Sequence, residues 1–189
     1  MISHQLFWFA SRAVGTIAIM LLGVSVAVGL VMAGRISRKP GRTARLRRFH
    51  EAAAIVMVGL VAAHGGLLLF DSYLRPGLAG ITVPFVLPYR SLGTGLGIIA
   101  GWLTLVFTAS FYVRRRIGAR RWRRLHMLTP VAYVLALVHV LIAGTDATNP
   151  WMIAMLTGLT APVGFAFSYR VLTGLTTPAR RTPLRAAAA

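Results

Sequence analysis

Five long apolar segments, separated by short polar stretches, set the main constraint on how this chain folds. They cover about residues 7–34, 49–70, 92–113, 125–143 and 151–172. A helix needs about 20 predominantly apolar residues to cross about 30 Å of hydrocarbon. Lipid offers the backbone no hydrogen-bonding partner, so spanning segments of this length must be helical. The segments therefore predict an all-α fold, an integral membrane helical bundle with five transmembrane helices.

The composition agrees with a membrane location and excludes several classes of protein. Charged residues make up 13% of the chain, about half the share of roughly 25% in soluble domains. The net charge of +18 does not indicate nucleic-acid binding, because the basic residues are clustered between apolar segments and do not cover one polar face. The chain has no cysteine, which excludes disulfides, c-type haem attachment and cysteine-ligated iron–sulfur clusters.

The basic clusters predict the orientation of the bundle. All but three of the 21 lysine and arginine residues fall after the first segment, after the third segment, or at the C-terminal end. The three others, Arg12, Arg75 and Arg90, lie on the opposite side. Because cytoplasmic loops carry the excess of positive charge, we expect the N-terminus outside and the C-terminus inside.

Two stretches outside the apolar segments carry further expectations. The longest loop, Asp71 to Ser91, contains several prolines and glycines, and we expect it to fold over the outer surface. Residues 176–189 are rich in Pro, Arg and Ala, which is typical of disorder. We therefore predict one transmembrane domain over residues 1–175, followed by a disordered cytoplasmic tail over residues 176–189.

Four histidines form a regular pattern in the second and fourth segments. His50 and His64 are 14 residues apart, and His126 and His139 are 13 residues apart. Both helices are predicted to run from inside to outside, so the two histidines of each helix fall at matching depths, about 20 Å apart. We call His50 and His126 the inner pair, and His64 and His139 the outer pair. Each pair is predicted to bind one haem iron from both axial sides, which leaves no open position and suits electron transfer.

The helical phase supports this pairing on one helix and opposes it on the other. At 100° per residue, His50 and His64 lie about 40° apart, on one face. His126 and His139 lie about 140° apart in a straight helix. Pro130 stands between them and removes a backbone hydrogen bond, so we expect a kink or local unwinding there.

Other interpretations of the histidines remain open at this point. Packing or interfacial histidines are the simplest alternative, although ionisable groups within a bilayer are usually functional. A zinc or copper site needs three or four ligands at one point, and two layers about 20 Å apart do not supply them. A haem-free membrane scaffold would leave the histidines without a metal.

Several polar residues near the predicted outer haem have two interpretations each. Arg12 is either a haem-propionate partner or a side chain that extends to the interface, and Arg90 has the same two interpretations. Asp71 and Asp146 either attract a cation such as ferric iron or pass protons, or they are solvated loop residues.

Short motifs along nearly the whole chain resemble the ferric reductase-like transmembrane domain family. That family includes the membrane portion of NADPH oxidases and ferric reductases, and the haem-binding subunit of the periplasmic methionine sulfoxide reductase system. The most specific parts are a Trp-Arg-x-Leu-His stretch and the spacings of the histidines. The matching pieces are Ser11-Arg12-Ala13-Val14-Gly15, His50 with His64, Val83-Pro84-Phe85, Tyr89-Arg90, Arg121-Trp122-Arg123-Arg124-Leu125-His126, His139, Gly144-Thr145-Asp146 and Pro150-Trp151-Met152.

The resemblance implies a b-type cytochrome that holds two haem b groups and moves electrons outward. The four histidines would be the iron ligands, with Arg12 and Arg90 as further cofactor-binding residues. The flavin and NADPH domain of the oxidases and ferric reductases is missing from the chain, so we expect no FAD or NADP site in it. The expected donor is a cytoplasmic flavin reductase or membrane quinol, which makes quinone a further candidate cofactor.

The expected setting is a multi-pass protein of the plasma membrane, in contact with lipid and not with nucleic acid. It passes electrons to an extracytoplasmic acceptor such as ferric iron or oxygen. In the alternative, it is a non-catalytic electron-transfer subunit of a separate extracytoplasmic reductase of the methionine sulfoxide reductase type. The two differ in whether the chain reduces the acceptor itself or passes electrons to an acceptor protein.

Overall fold

A computed structural model describes residues 2–34, 36 and 40–176 of the chain. It contains seven helices within that part: α1 (Ile2–Ala33), α2 (Pro40–Leu68), α3 (Gly77–Thr82), α4 (Ser91–Ile117), α5 (Ala119–His126), α6 (Thr129–Ala143) and α7 (Pro150–Thr176). The predicted cytoplasmic tail lies, except for residue 176, outside the described residues.

The prediction of five spanning helices is confirmed. Helices α1, α2, α4 and α7 are each long and apolar enough to cross a membrane, and α5 and α6 together make the fifth such stretch. Many large apolar side chains on these helices are exposed, as expected where lipid covers the protein. The chain is thus a multi-pass membrane protein, and the orientation of its termini stays a prediction.

Helix α1 is the central element of the bundle. It packs against α2 along much of its length and also against α6 and α7. Its buried residues Ile19, Leu22 and Val26 recur at helical spacing and form the core with Tyr133 of α6 and Leu156 of α7. A single face of α1 therefore joins the helices that carry the histidines to the last span.

The interruption expected near Pro130 is present. Helix α5 ends at His126, and α6 begins at Thr129, with Pro130 in its first turn. Met127 and Leu128 lie between the two helices. Proline is tolerated in a first turn because the backbone N–H there has no helical acceptor. Because the helix is interrupted between His126 and His139, the angle of about 140° expected for a straight helix does not apply to them.

The loop between α2 and α4 differs from the sequence prediction. It was expected to lie over the outer surface, but part of it descends between the helices. The indole Nε1 of Trp102 donates to the carbonyl oxygen of Thr82 over 2.8 Å, and Trp102 lies 11 residues into α4, about 16 Å along its axis. Small residues make this possible, because any side chain on Gly95 would overlap the ring of Phe85.

Candidate functional site

The two predicted histidine pairs come together in the structure. The ring centroids of His50 and His126 are 5.9 Å apart, and those of His64 and His139 are 6.3 Å apart. Helix α2 supplies one member of each pair, while α5 and α6 supply the others. Each pair therefore joins α2 to the broken span that α5 and α6 form.

These separations match a metal ion bound between two imidazoles. Metal–nitrogen bonds to imidazole are about 2.0–2.1 Å long, and the nitrogen lies about 1.1 Å from the ring centre, so two rings on opposite sides of one ion have centroids roughly 6.3 Å apart. Both observed values lie close to this distance. The interplanar angles are 85° for the inner pair and 75° for the outer pair, so the rings are not stacked on each other.

Backbone carbonyl groups fix both rings of the outer pair. The Nδ1 atom of His64 lies 2.8 Å from the carbonyl oxygen of Ser11, and Nδ1 of His139 lies 2.9 Å from that of Gly93. A carbonyl oxygen only accepts, so Nδ1 carries the proton in both rings and Nε2 is left with a free lone pair. The Ser11 hydroxyl group also lies 3.0 Å from Nδ1 of His64 and donates to the His64 carbonyl oxygen.

In the inner pair, one ring has such a partner and the other does not. His50 donates from Nδ1 to the carbonyl oxygen of Ser25 over 3.0 Å, and the Ser25 hydroxyl oxygen lies 2.9 Å from the same nitrogen. The Nδ1 atom of His126 is buried and has no hydrogen-bond partner. Metal-binding histidines almost always donate from their second nitrogen to such an acceptor. Three of the four rings are therefore arranged as metal ligands usually are.

Helix α1 repeats one local arrangement, once beside the inner pair and once beside the outer pair. A serine supplies the carbonyl acceptor, and a glycine four residues later leaves room for the same imidazole. A Cβ atom on Gly15 would lie 2.8 Å from His64, and one on Gly29 would lie 3.3 Å from His50. Sequence reasoning missed this arrangement, although the serine–glycine pairs are 14 residues apart, as are the histidines of α2.

Helix α4 receives His139 in the same manner. Gly93 supplies the carbonyl acceptor, and a Cβ atom on Gly97, four residues later, would lie 2.5 Å from Nδ1 of His139. These two glycines of α4 therefore bring the backbone close to an imidazole ring, which a larger side chain would prevent.

A cavity of about 540 Å³ surrounds the outer pair. Residues of α1, α2, α4 and α6 line it, together with parts of the descending loop such as Ile81 and Leu87. Its size lies within the range of small-molecule and cofactor sites, and its lining is mostly apolar, as is usual for them. His64 and His139 lie in the lining and the inner pair does not. The outer site therefore has room for a large, flat, mostly apolar group beside its two imidazoles.

Arg12 lies in the lining of this cavity and has a protein partner. Its guanidinium group forms an ion pair with Asp146 and lies 4.2 Å from the ring centre of Trp8. Asp146 also accepts a hydrogen bond of 2.9 Å from the side chain of Asn149. The pair ties α1 to the turn between α6 and α7, so Asp146 is neither a free cation site nor a merely solvated loop residue.

Arg90 and Asp71 stabilise the chain locally. The Arg90 guanidinium group donates to the carbonyl oxygens of Ile142 and Gly144, over 3.2 and 3.4 Å, at the C-terminal end of α6. Arg90 is not among the residues that line the cavity. Asp71 is buried, and its Oδ1 accepts the backbone N–H groups of Tyr73 and Leu74. In the structure, Arg90 therefore binds the end of the helix that carries His139.

Across the described residues, no group of three or more histidine, aspartate or glutamate side chains converges on one point. The ligands form two separate pairs, and a metal ion at either pair needs further ligands from a cofactor or solvent. A haem supplies four nitrogen ligands in one plane and takes two axial ones, so the donor set fits haem iron.

Comparison with known protein families gives one match. The family described as ferric reductase like transmembrane component matches residues 14–137. The match contains His50, His64 and His126, and it ends two residues before His139. No curated protein and no solved structure matches the chain.

Proposed function

The chain belongs to the ferric reductase-like transmembrane family, and we propose that it is a di-haem b-type cytochrome of the plasma membrane. Family membership and the five spanning helices indicate membrane electron transfer. The proposal adds two haem b groups, one at each histidine pair. So equipped, the chain would transfer electrons across the membrane to an extracytoplasmic acceptor such as ferric iron or oxygen.

The paired imidazoles are the observation that carries the proposal. Within each pair the rings stand at the separation that suits one metal ion, and three of the four rings donate from Nδ1 to a backbone carbonyl oxygen. That hydrogen bond fixes the ring orientation and raises the basicity of the other nitrogen. Packing histidines need neither the facing geometry nor a free Nε2 on three of the four rings.

The protein's part in this function is to bind and position. A bound haem supplies the one-electron redox chemistry. Nε2 of each histidine would hold the iron, the glycines on α1 and α4 allow the rings to approach, and the mostly apolar cavity would take the ring of the outer haem. Arg12, in the cavity lining, is the residue we propose to neutralise a propionate group, in competition with Asp146.

The distance between the inner and the outer histidine pair suits electron transfer across the membrane. His50 and His64 lie 14 residues apart on α2, about 21 Å along the axis, against about 30 Å of hydrocarbon. The inner pair is then close to a cytoplasmic flavin reductase or to membrane quinol, which are the proposed donors.

The outer side favours one alternative, in which the chain serves a separate extracytoplasmic reductase of the methionine sulfoxide reductase type. The chain has three acidic residues in all, and the two on this side are occupied, since Asp71 binds backbone N–H groups and Asp146 binds Arg12. No free carboxylate therefore remains there for a ferric ion. Tyr73 and Leu78 of the loop are 85% and 70% exposed, and we propose that they take part in binding the partner protein.

Proteoliposomes test the proposed direction of transfer. A membrane-impermeant reductant is enclosed with the purified holoprotein, and ferricyanide is added outside. The proposal predicts reduction of the external ferricyanide that depends on the protein and is lost in His64→Ala. If the intact protein contains haem but external ferricyanide stays oxidised, the transmembrane path is wrong. Reduction of ferric citrate by the chain alone supports the first function, and a requirement for a soluble partner protein supports the alternative.

A further inference from the structure

The inner pair holds its two imidazoles by different means. His50 donates from Nδ1 to the carbonyl oxygen of Ser25, whereas the buried Nδ1 of His126 has no hydrogen-bond partner. Both rings of the outer pair, those of His64 and His139, donate to carbonyl oxygens. His126 is therefore the only one of the four described rings without a backbone acceptor to fix its orientation.

An aromatic contact takes the place of the missing hydrogen bond. The indole ring of Trp122, one turn earlier on α5, stacks on His126 with centroids 5.2 Å apart and planes 20° apart. Phe111 of α4 packs edge-on against the same indole, 6.2 Å away, and the Arg114 guanidinium lies 3.7 Å from the Phe111 ring centre. This arrangement fixes the plane of the His126 ring but supplies no acceptor for its N–H group.

The backbone at His126 lies at the end of a helix, whereas the other three ligands lie within helices. His126 is the last residue of α5, and α6 starts only at Thr129. His139, by contrast, lies within the continuous helix α6. A side chain at a helix end moves with fewer broken backbone hydrogen bonds than one in the middle of a helix.

These observations converge on one ligand of the inner haem. Loss of the acceptor behind a metal-binding histidine typically lowers metal affinity about 10–100-fold. We infer that His126 is the exchangeable ligand of the inner haem iron, that Trp122 is the positioning residue that keeps it in place, and that this iron is the binding site for a small uncharged ligand. The inference rests on the proposed function, since it requires a haem at the inner pair.

Carbon monoxide is a suitable probe of this site. Full-length holoprotein in detergent is reduced with dithionite and titrated with carbon monoxide, and visible difference spectra report the fraction of haem that binds it. We expect binding to at most one of the two haems. Trp122→Leu removes the stacked ring and is expected to raise the affinity for carbon monoxide about 10-fold or more.

Two further variants serve as controls. One separates the effect of the stacked ring from that of the indole N–H, and the other tests for general effects of losing a tryptophan. Trp122→Phe keeps an aromatic ring against His126 and is expected to behave like the wild type, because the indole N–H has no partner to lose. Trp151→Leu alters a tryptophan that is 51% exposed and is expected to leave the titration unchanged.

A second pair of variants keeps the inference testable if Trp122→Leu fails to fold. His126→Ala is expected to retain the inner haem through His50, with a high-spin spectrum, whereas His50→Ala is expected to lose that haem. Equal haem loss in these two variants overturns the inference. So does equal carbon monoxide binding to both haems, or no binding in either the wild type or Trp122→Leu. A wild-type protein without haem overturns the proposed function as well.

Discussion

His64 donates a hydrogen bond from Nδ1 to the carbonyl oxygen of Ser11, 2.8 Å away on the neighbouring helix. The bond fixes the protonated nitrogen, so Nε2 of His64 keeps a free lone pair, and the His139 ring lies 6.3 Å away between centroids. The same relation joins His50 to Ser25. Because α1 and α2 meet in this way at both levels, α1 sets the orientation of both histidines of α2.

Glycine substitutions test the close approach of the helices to the outer imidazoles. A Cβ atom would lie 2.8 Å from His64 in Gly15→Ala and 2.5 Å from His139 in Gly97→Ala. We expect each variant to lose the outer haem, with haem per chain falling by up to half, because the ring must move by more than a ligand bond tolerates. Gly59→Ala is the matched control, since its Cβ atom would meet nothing within 4 Å. Equal haem content in all three variants would contradict this account of the glycines.

Removal of one outer ligand tests the pairing. His139→Ala is expected to remove the outer haem and leave the inner one, because His139 faces His64 alone among the histidines. Haem per chain and the reduced-minus-oxidised spectrum report the result. Retention of both haems at wild-type content shows that the pairing is wrong.

A double-mutant cycle measures how much the ion pair between Arg12 and Asp146 contributes to stability. The two residues lie 134 positions apart in the chain, and their side chains are 30% and 20% exposed. We expect Arg12→Gln and Asp146→Asn each to lower the thermal stability, and the double variant to be little worse than either. The expected coupling is about 0.5–3 kcal/mol. Strictly additive effects on the unfolding temperature would mean that the pair contributes no coupling.

Arg12 also has a predicted effect on the cofactor. Because it lies in the lining of the outer cavity, Arg12→Gln is expected to weaken haem retention or shift the potential of the outer haem. Arg75→Gln is the control, since that arginine lies on the same predicted side and does not line the cavity. A redox titration of both variants makes the comparison. If Arg12→Gln and Arg75→Gln give the same potentials and haem content, Arg12 is a structural residue only.

The ring planes predict a spectroscopic signature. The imidazole planes are 85° apart in the inner pair and 75° apart in the outer pair. Nearly perpendicular imidazoles interact almost equally with the two iron d orbitals that accept their π electrons, so these orbitals stay close in energy. Electron paramagnetic resonance of the ferric protein should therefore give highly anisotropic low-spin signals with one dominant low-field feature. Well-resolved rhombic spectra from both haems would indicate parallel planes instead.

The sequence predicted the elements of this fold better than their contacts. Lipid enforces helices on long apolar segments, so the five spans follow from composition, and the equal depth of the histidines follows from parallel helices. The phase difference between His126 and His139 also marked the break that the structure places at Met127 and Leu128. The descending loop was missed, because the contact of Trp102 with Thr82 depends on small residues in other elements.

The candidate site, like the fold, was predicted in its elements and not in all of its contacts. The histidine pairs were predicted, while Arg12 and Asp146 were weighed one at a time, because nothing local in the sequence joins residues so distant. The serine–glycine pairs of α1 were detectable, since Ser11 and Ser25 repeat the 14-residue interval of His50 and His64. The shared interval indicates a contact between serines and histidines only when α1 and α2 are compared with each other.

Haem stoichiometry tests the central claim most directly. The full-length protein, produced with ample haem and purified in detergent, is measured by the pyridine haemochrome assay together with its reduced-minus-oxidised spectrum. The account predicts two b-type haems per chain, one at each histidine pair. A colourless protein would contradict it and leave a membrane scaffold without haem.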